Sequence, residues 1–284
     1  MKHLYAILFF LIALTALTAF APDTYLLPES FYLHKGDQLT VHLLNGENLT
    51  QEGEDGYNSQ KTTKFNIYEG GKAIDLLKVT KDSAAPLLKY TVNSGNMTMV
   101  EMNTKDESIE LPHEDFVAYL TKQGYTDLAE KIKDDTRLNL VEKYRYYLKT
   151  LINVGDGGGN IYSKQTGSDL EIVLKQNPYK KSYGDDITAV VYFLGKPLKN
   201  SNVLLYIKTA SGNVHPQLLA TDATGQLYFS PSRDGIYMLR CVHIEPSKTN
   251  DADFETWFAT YSFAFSNRDE LPNTYKEFGF GDKH

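Results

Sequence analysis

Cysteine is almost absent from this 284-residue chain, and so is tryptophan, with one of each. A single thiol, Cys241, cannot close an internal disulfide, so whatever stability the fold has comes from packing and polar pairing. Cys241 alternates with Tyr237 and Leu239 on a core-like face, which points to a buried inert thiol rather than a nucleophile. Concentrated positive charge is also missing. The 29 Lys and Arg are interspersed among 36 Asp and Glu, for a formal net charge of −7. That argues against nucleic acid as a partner, since displacing counterions needs clustered basic residues. The usual catalytic signatures are absent too. His113-Glu114 is followed by Asp115, Phe116 and Val117, so the second histidine of a zinc-protease helix is missing. There is no Gly-x-Ser-x-Gly elbow and no Walker loop. The glycines of Gly155–Asn160 lack the lysine of a phosphate loop. The chain does not read as an enzyme.

What is present first is an export address. Lys2 and His3 precede a nearly unbroken apolar run from Leu4 to Thr18, and Ala19-Phe20-Ala21 supplies a small-x-small cleavage pattern. Residues 1–21 therefore read as a signal peptide. Pro22 just after the cut hinders many signal peptidases, so an uncleaved N-terminal anchor is the alternative and the one route to a membrane. No cysteine follows the run, which excludes a lipid anchor at that point.

The remainder reads mainly as β-structure, in two sandwich domains with a helical insert between them. Residues 22–111 supply short alternating strands: Ser30–His34, Gln38–Leu44, Lys64–Tyr68, Leu87–Val92 and Met97–Met102. Asn45-Gly46 reads as a hairpin turn, and the polar stretch Gln51–Lys64 as a mobile surface loop. Residues 112–160 read as the insert and its glycine-rich link. A first helix opens at Pro112 and stops at Gly124. A second spans roughly Asp127–Asn153, with Leu140, Tyr144, Leu148, Leu151 and Ile152 on one stripe. From 168 to 266 strands return in an immunoglobulin-like or prealbumin-like pattern: Leu170–Leu174, Ile187–Phe193, Val203–Ile207, Gly235–Pro246 and Trp257–Phe265. Asp222 and Gly225 supply a turn before Leu227 and Phe229. Residues 267–284 lack periodicity and read as a tail. Sandwiches in tandem with 20 Tyr also suit a surface or carbohydrate-associated adhesion module, with aromatic rings stacking on sugars.

Metal-ligand spacing is weak throughout. After the signal six histidines remain, His34, His42, His113, His215, His243 and His284, and none forms a His-x-His or His-x-x-x-His pair. His243 is the best candidate ligand, at a strand end beside Glu245, with Asp251, Asp253 and Glu255 following. Either the carboxylates complete a shell for a divalent cation with it, or they only hydrogen-bond the ring.

Several segments in a fixed order do resemble a known family. Glu142–Gly155, Asp169-Leu-Glu-Ile-Val173 with Asn177-Pro-Tyr179, Gly184-Asp185, Gly195-Lys-Pro-Leu198, Met238–Ile244 and Ala252–Phe263 are similar to an exported domain-of-unknown-function family associated with the periplasmic side of nickel and cobalt transport. The resemblance runs from Tyr25 to Phe265. It implies a periplasmic, non-enzymatic binding or accessory protein handling Ni²⁺, Co²⁺ or a similar ion such as Zn²⁺, with an inner- or outer-membrane transporter as partner. Many members begin their mature chain with a histidine, where this chain has Pro22-Asp23. The ligands carried over are His243, Asp253 and Glu255. Since one imidazole cannot hold such an ion tightly, His34 or the Gln51–Lys64 loop is expected to swing in as a further donor, independently of the resemblance.

Overall fold

The computed structural model describes residues 23–281. The signal segment 1–21 and His284 lie outside the described residues.

Three β layers are stacked, and the middle one is shared by both halves of the chain. Its strands are β5 (Thr62–Glu69), β6 (Lys72–Asp75), β8 (Thr98–Thr104), β10 (Asn139–Val154), β14 (Asn202–Lys208), β15 (Val214–Ala220), β17 (Gly235–Pro246) and β18 (Phe254–Phe265). They form one ten-stranded sheet in the order β15-β14-β17-β18-β10-β8-β5-β6, and the short β2 (Tyr32–Leu33) and β9 (Glu107–Pro112) pair with β10. The N-terminal outer sheet holds β1 (Thr24–Pro28), β3 (Gln38–Asn45), β4 (Gly53–Asp55) and β7 (Leu88–Thr91). The C-terminal outer sheet holds β11 (Leu170–Leu174), β12 (Ile187–Phe193), β13 (Lys196–Pro197) and β16 (Gln226–Phe229). The fold is mainly β and sandwich-like, as the alternating pattern requires. Two helices, α1 (His113–Lys122) and α2 (Thr126–Ile132), follow β9. Acidic Glu114 and Asp115 sit in the first turn of α1, and Gly124 takes the left-handed conformation just past its end.

The strand that fuses the halves is β10. It pairs antiparallel with β8 on one side and parallel with β18 on the other. Residues 139–153 are therefore strand, where the apolar stripe predicts helix. The reason is a coincidence of periods. Leu140, Tyr144, Leu148 and Ile152 recur every four residues, which lies close to one helical turn and is also twice the strand repeat. Tyr146 and Val154 fall on the same parity and are buried with them. Val141, Tyr144, Tyr146, Tyr147, Thr150, Ile152 and Val154 are β-formers, and both faces find a sheet to pack against. The helix prediction survives only as the seven-residue α2.

Even-numbered residues of β10 and β18 face the N-terminal layer. Thr260 Oγ1 donates to Thr24 O at 3.3 Å and Ser262 Oγ to Leu26 O at 2.7 Å, which ties β1 across the middle sheet. Phe116 of α1 packs on Phe254, with ring centroids 4.7 Å apart. Odd-numbered residues of β10 face the C-terminal layer, where Tyr147 reaches Asp169 and Lys149 reaches Glu171.

Two other loops are more ordered than their composition suggests. The predicted mobile loop contains β4, and its Tyr57 is buried with its hydroxyl donating to Leu77 O at 3.0 Å. Asn45-Gly46 leads into a short 3-10 turn, Glu47–Leu49, before β4, so the connection is longer than a two-residue hairpin. The predicted tail is docked. Phe278 and Phe280 are buried, Thr274 Oγ1 donates to Pro28 O at 2.7 Å, and Tyr275 stacks on His42 at 3.8 Å with the rings nearly parallel. Aperiodic sequence hides this, because the strap contributes isolated anchors rather than a repeating face.

Candidate functional site

Where β8, β10 and the segment leading into β11 meet, the molecule has a cleft of about 560 Å³. Its walls include Asn103, Lys105 and Asp106 from the end of β8, Arg145 and Tyr147 from β10, and Gly167, Ser168 and Asp169 from the approach to β11. Strand alternation puts Arg145 and Tyr147 on the same face, and the three-layer stacking brings Asp169 over them.

These side chains are held in place. Arg145 Nη2 donates to Glu255 Oε2 at 2.6 Å, and the guanidinium lies 4.8 Å from the ring centroid of Trp257. Its Nε is 2.9 Å from Asp106 Oδ1, an ion pair without hydrogen-bond geometry. The Tyr147 hydroxyl donates to Asp169 Oδ2 at 2.8 Å. Asn103 is 6% exposed and its Nδ2 donates to Ser168 Oγ at 2.9 Å. Its Oδ1 is buried with no hydrogen-bond partner among the described residues. A buried carbonyl left unpaired costs about 1–3 kcal/mol, which the hydrogen bonds around it through Ser168 and the Glu101 network offset.

Behind the cleft floor lies a buried ionic network. Ser168 Oγ donates to Glu101 Oε1 at 2.8 Å, and Thr166 Oγ1 sits 2.5 Å from Glu101 Oε1 and 2.8 Å from Glu171 Oε1. Lys149 Nζ donates to Glu171 Oε1 at 2.5 Å, Lys64 Nζ to Glu101 Oε1 at 3.4 Å, and Tyr68 OH to Glu101 Oε2 at 2.7 Å. Burial opposes ionisation of Glu171, but Lys149 and the Thr166 donors together hold its carboxyl below the usual range. Burial likewise pulls the Lys149 ammonium down, against Glu171 and Glu101. Two cations and two carboxylates in one desolvated cluster balance each other and fix the three strands that form the cleft.

The family model that matches residues 19–245 is described as Domain of unknown function (DUF4198). The chain belongs to this family. No curated protein matches the chain. Among solved structures, a tetra-tandem repeat in the extending region of a large adhesion protein is similar over 85% of this chain and 49% of that one, at 9% identity and a TM-score of 0.21. The chain thus spans about half the length of that structure. The D0-D1 domain of intimin is similar over 85% of this chain and 97% of that one, at 12% identity and a TM-score of 0.20. Likenesses of this size carry no argument about what a family member does.

The residues predicted to hold a metal are placed otherwise in this DUF4198 member. His243 does face Glu245, Nε2 to Oε1 at 3.1 Å, as the strand pattern predicts. Its ring packs against Phe193 at 4.1 Å and Trp257 at 5.8 Å between centroids, and Nδ1 lies 3.5 Å from the Tyr125 hydroxyl. Burial pushes the imidazole below its usual value, against the pull of Glu245, so it is neutral near pH 7. Asp253 is occupied: Arg137 Nη1 donates to its Oδ1 and Val141 N–H to its Oδ2. Glu255 is bound to Arg145 and accepts from Ser247 Oγ at 3.3 Å. His34 is exposed in the turn after β2 and, among the described residues, pairs only with Asp37.

Register rules out a swing inward by His34. Leu33 pairs with Val154 and Glu255 with Lys143, so the two lie eleven strand residues apart along β10, roughly 35 Å at the rise of an extended chain. Among the described residues no group of three or more His, Cys, Asp or Glu is arranged to hold an ion. The donor set as folded does not fit a transition metal. Cys241 is fully buried, with its thiol pushed up to about 12 by desolvation.

The strand parity that would have revealed Arg145, Tyr147 and Lys149 as one polar face is present in Glu142–Gly155, but a helical reading scatters it. Asn103 carries no local signal at all, because its role depends on Ser168 arriving from 65 residues away.

Proposed function

We propose that this protein is an extracytoplasmic, non-catalytic binding protein whose ligand sits in the cleft between β8, β10 and the β11 approach. The carrying observation is pre-organisation. Arg145 is fixed by Glu255 and Trp257, and Tyr147 by Asp169, before any ligand arrives. A site whose polar groups are already oriented loses little entropy on binding, which is the property a capture protein needs. The cleft also joins the N-terminal and C-terminal halves, so a ligand there reports on both.

Hydrogen exchange on the mature protein, with and without a panel of small polar metabolites and with Ni²⁺, Co²⁺ and Zn²⁺, tests this reading. The expected result is ligand-dependent protection of backbone amides at 103–106 and 166–169. Protection confined to 243–255 and seen only with the metal ions would replace the cleft with a strand-end metal site.

A further inference from the structure

Strand β15 (Val214–Ala220) ends the ten-stranded middle sheet and, among the described residues, pairs only with β14. Thr209 N–H donates to Asn213 O and Thr221 N–H to Ser201 O, at the two ends of that pairing. In an antiparallel ladder, successive residues bond alternately to one side and the other. Odd residues of β15 therefore bond to β14, and Val214, Pro216, Leu218 and Ala220 turn their backbone groups outward. No backbone partner on that side is found for them among the described residues. Pro216 fits this parity, because a residue without an N–H is tolerated only where the ladder does not need one. Exposed edges are ordinarily blunted by charge. The opposite end of the same sheet, β6, carries Lys72 and Asp75. Strand β15 has no Asp, Glu, Lys or Arg, and Leu218 near its middle is 66% exposed.

We infer that β15 is an interface between two copies of this chain, paired antiparallel, edge to edge, about a twofold axis at Gln217. The strand is self-complementary in that register. Val214 meets Ala220 of the second copy, Pro216 meets Leu218, and Gln217 meets Gln217. Val214, Leu218 and Ala220 each donate a backbone N–H across the axis, to the carbonyls of Ala220, Pro216 and Val214 in turn. Only the Leu218 carbonyl goes unpaired, because Pro216 has no hydrogen to give. The four outward residues lie on one face, opposite Lys208, Tyr206, Leu204 and Asn202 of β14. Leu218 of each copy then stacks on the Pro216 ring of the other, an apolar cross-strand pair. A twofold contact sets every residue against its own surface, so a charge at the axis would face its like. An edge without such charges meets its copy without repulsion. One strand pair is smaller than the roughly 1,200 Å² that stable complexes bury, so the dimer is weak and reversible. The interface does not depend on what the cleft holds.

The test is sedimentation of the mature protein from about 10 µM to about 1 mM, with hydrogen exchange at both ends of that range. The expected result is a monomer–dimer equilibrium that stops at two chains. The Val214, Leu218 and Ala220 amides should gain protection as concentration rises, while the Gln217 amide, already bonded to β14, should not change. Leu218→Lys should weaken association at least tenfold and melt with wild type, because that side chain is exposed. Pro216→Ala supplies the missing donor to the Leu218 carbonyl of the second copy and should tighten association about threefold or more. That gain separates a paired ladder from a mere apolar contact, which a smaller side chain would weaken. A monomer throughout the range overturns the inference, as does an assembly that grows past the dimer. So does Leu218→Lys associating like wild type, or Pro216→Ala associating no more tightly.

Discussion

The two faces of β10 are built on different principles. Even positions press Leu140, Tyr146, Leu148, Ile152 and Val154 into the core beneath the N-terminal sheet and helices, with one buried carboxyl, Glu142, among them. Odd positions hold Lys143, Arg145, Tyr147 and Lys149, all engaged by acids: Asp251, Glu255, Asp169 and Glu171. Apolar burial is non-directional and tolerates substitution by shape. Charged pairing is directional and fails when one partner is lost. The first face makes the strand stable, and the second gives the cleft its geometry. The only aliphatic anchor on the odd face among the buried residues of β10 is Leu151, beyond the cleft.

The sharpest way to break the comparison is on the charged face. Lys149→Met strands Glu171 in a site where both side chains are almost fully buried, 5% and 3% exposed. The expected loss is about 3–5 kcal/mol in chemical denaturation. Adding Glu171→Met should return most of it, since replacing a buried pair by apolar residues is often neutral. A double mutant no more stable than the single one would show that Thr166 and Glu101 need the pair as a whole.

The apolar face has its own charged exception, and it should show in pH dependence. Burial raises the Glu142 carboxyl to about 7 from a usual value of 4.5, partly offset by the Thr256 hydroxyl donating to it at 2.5 Å. Between these values the folded state keeps a proton that the unfolded chain gives up. Stability contributed by this group is therefore full below about 4.5, falls as pH rises to about 7, and levels off above. Glu142→Gln should flatten that slope and add up to roughly 3 kcal/mol near pH 8, since each tenfold change in proton affinity is worth about 1.4 kcal/mol. Unfolding curves at pH 5 and pH 8 on both proteins check it. An unchanged slope would mean that Glu142 is solvated or paired in solution.

The smallest effect is expected at the strand end. His243→Phe keeps the aromatic contacts with Phe193 and Trp257 and loses only the contacts to Glu245 and Tyr125. It should cost about 1 kcal/mol or less. Ni²⁺ and Co²⁺ affinity by calorimetry should be the same in both proteins. A loss of metal binding in the variant would restore His243 as a ligand and overturn the placement described above.

Much of the fold was legible because β-strands announce themselves by alternation. β3, β11, β12, β14, β17 and β18 fall where the pattern of apolar residues puts them, and α1 falls between its acidic start and Gly124. Membership in a domain-of-unknown-function family was legible as well, since ordered motifs survive without any knowledge of contacts, but the family match carries nothing of nickel or cobalt transport. The nature of β10 was not, because a four-residue spacing satisfies both a helix and a strand, and only neighbouring strands β8 and β18 decide between them. The strap at 273–281 was hidden for a related reason: single anchors such as Thr274, Tyr275 and Phe278 make no period. At the site, sequence singled out His243, Asp253 and Glu255 by type and proximity along the chain. Arg137 and Arg145, placed against them by the fold, satisfy two of the three carboxylate–imidazole groups. Local sequence determines which residues can pair. Which ones do is set by the sheet register, since partners as distant along the chain as Arg145 and Glu255 meet only after the two halves fuse along β10.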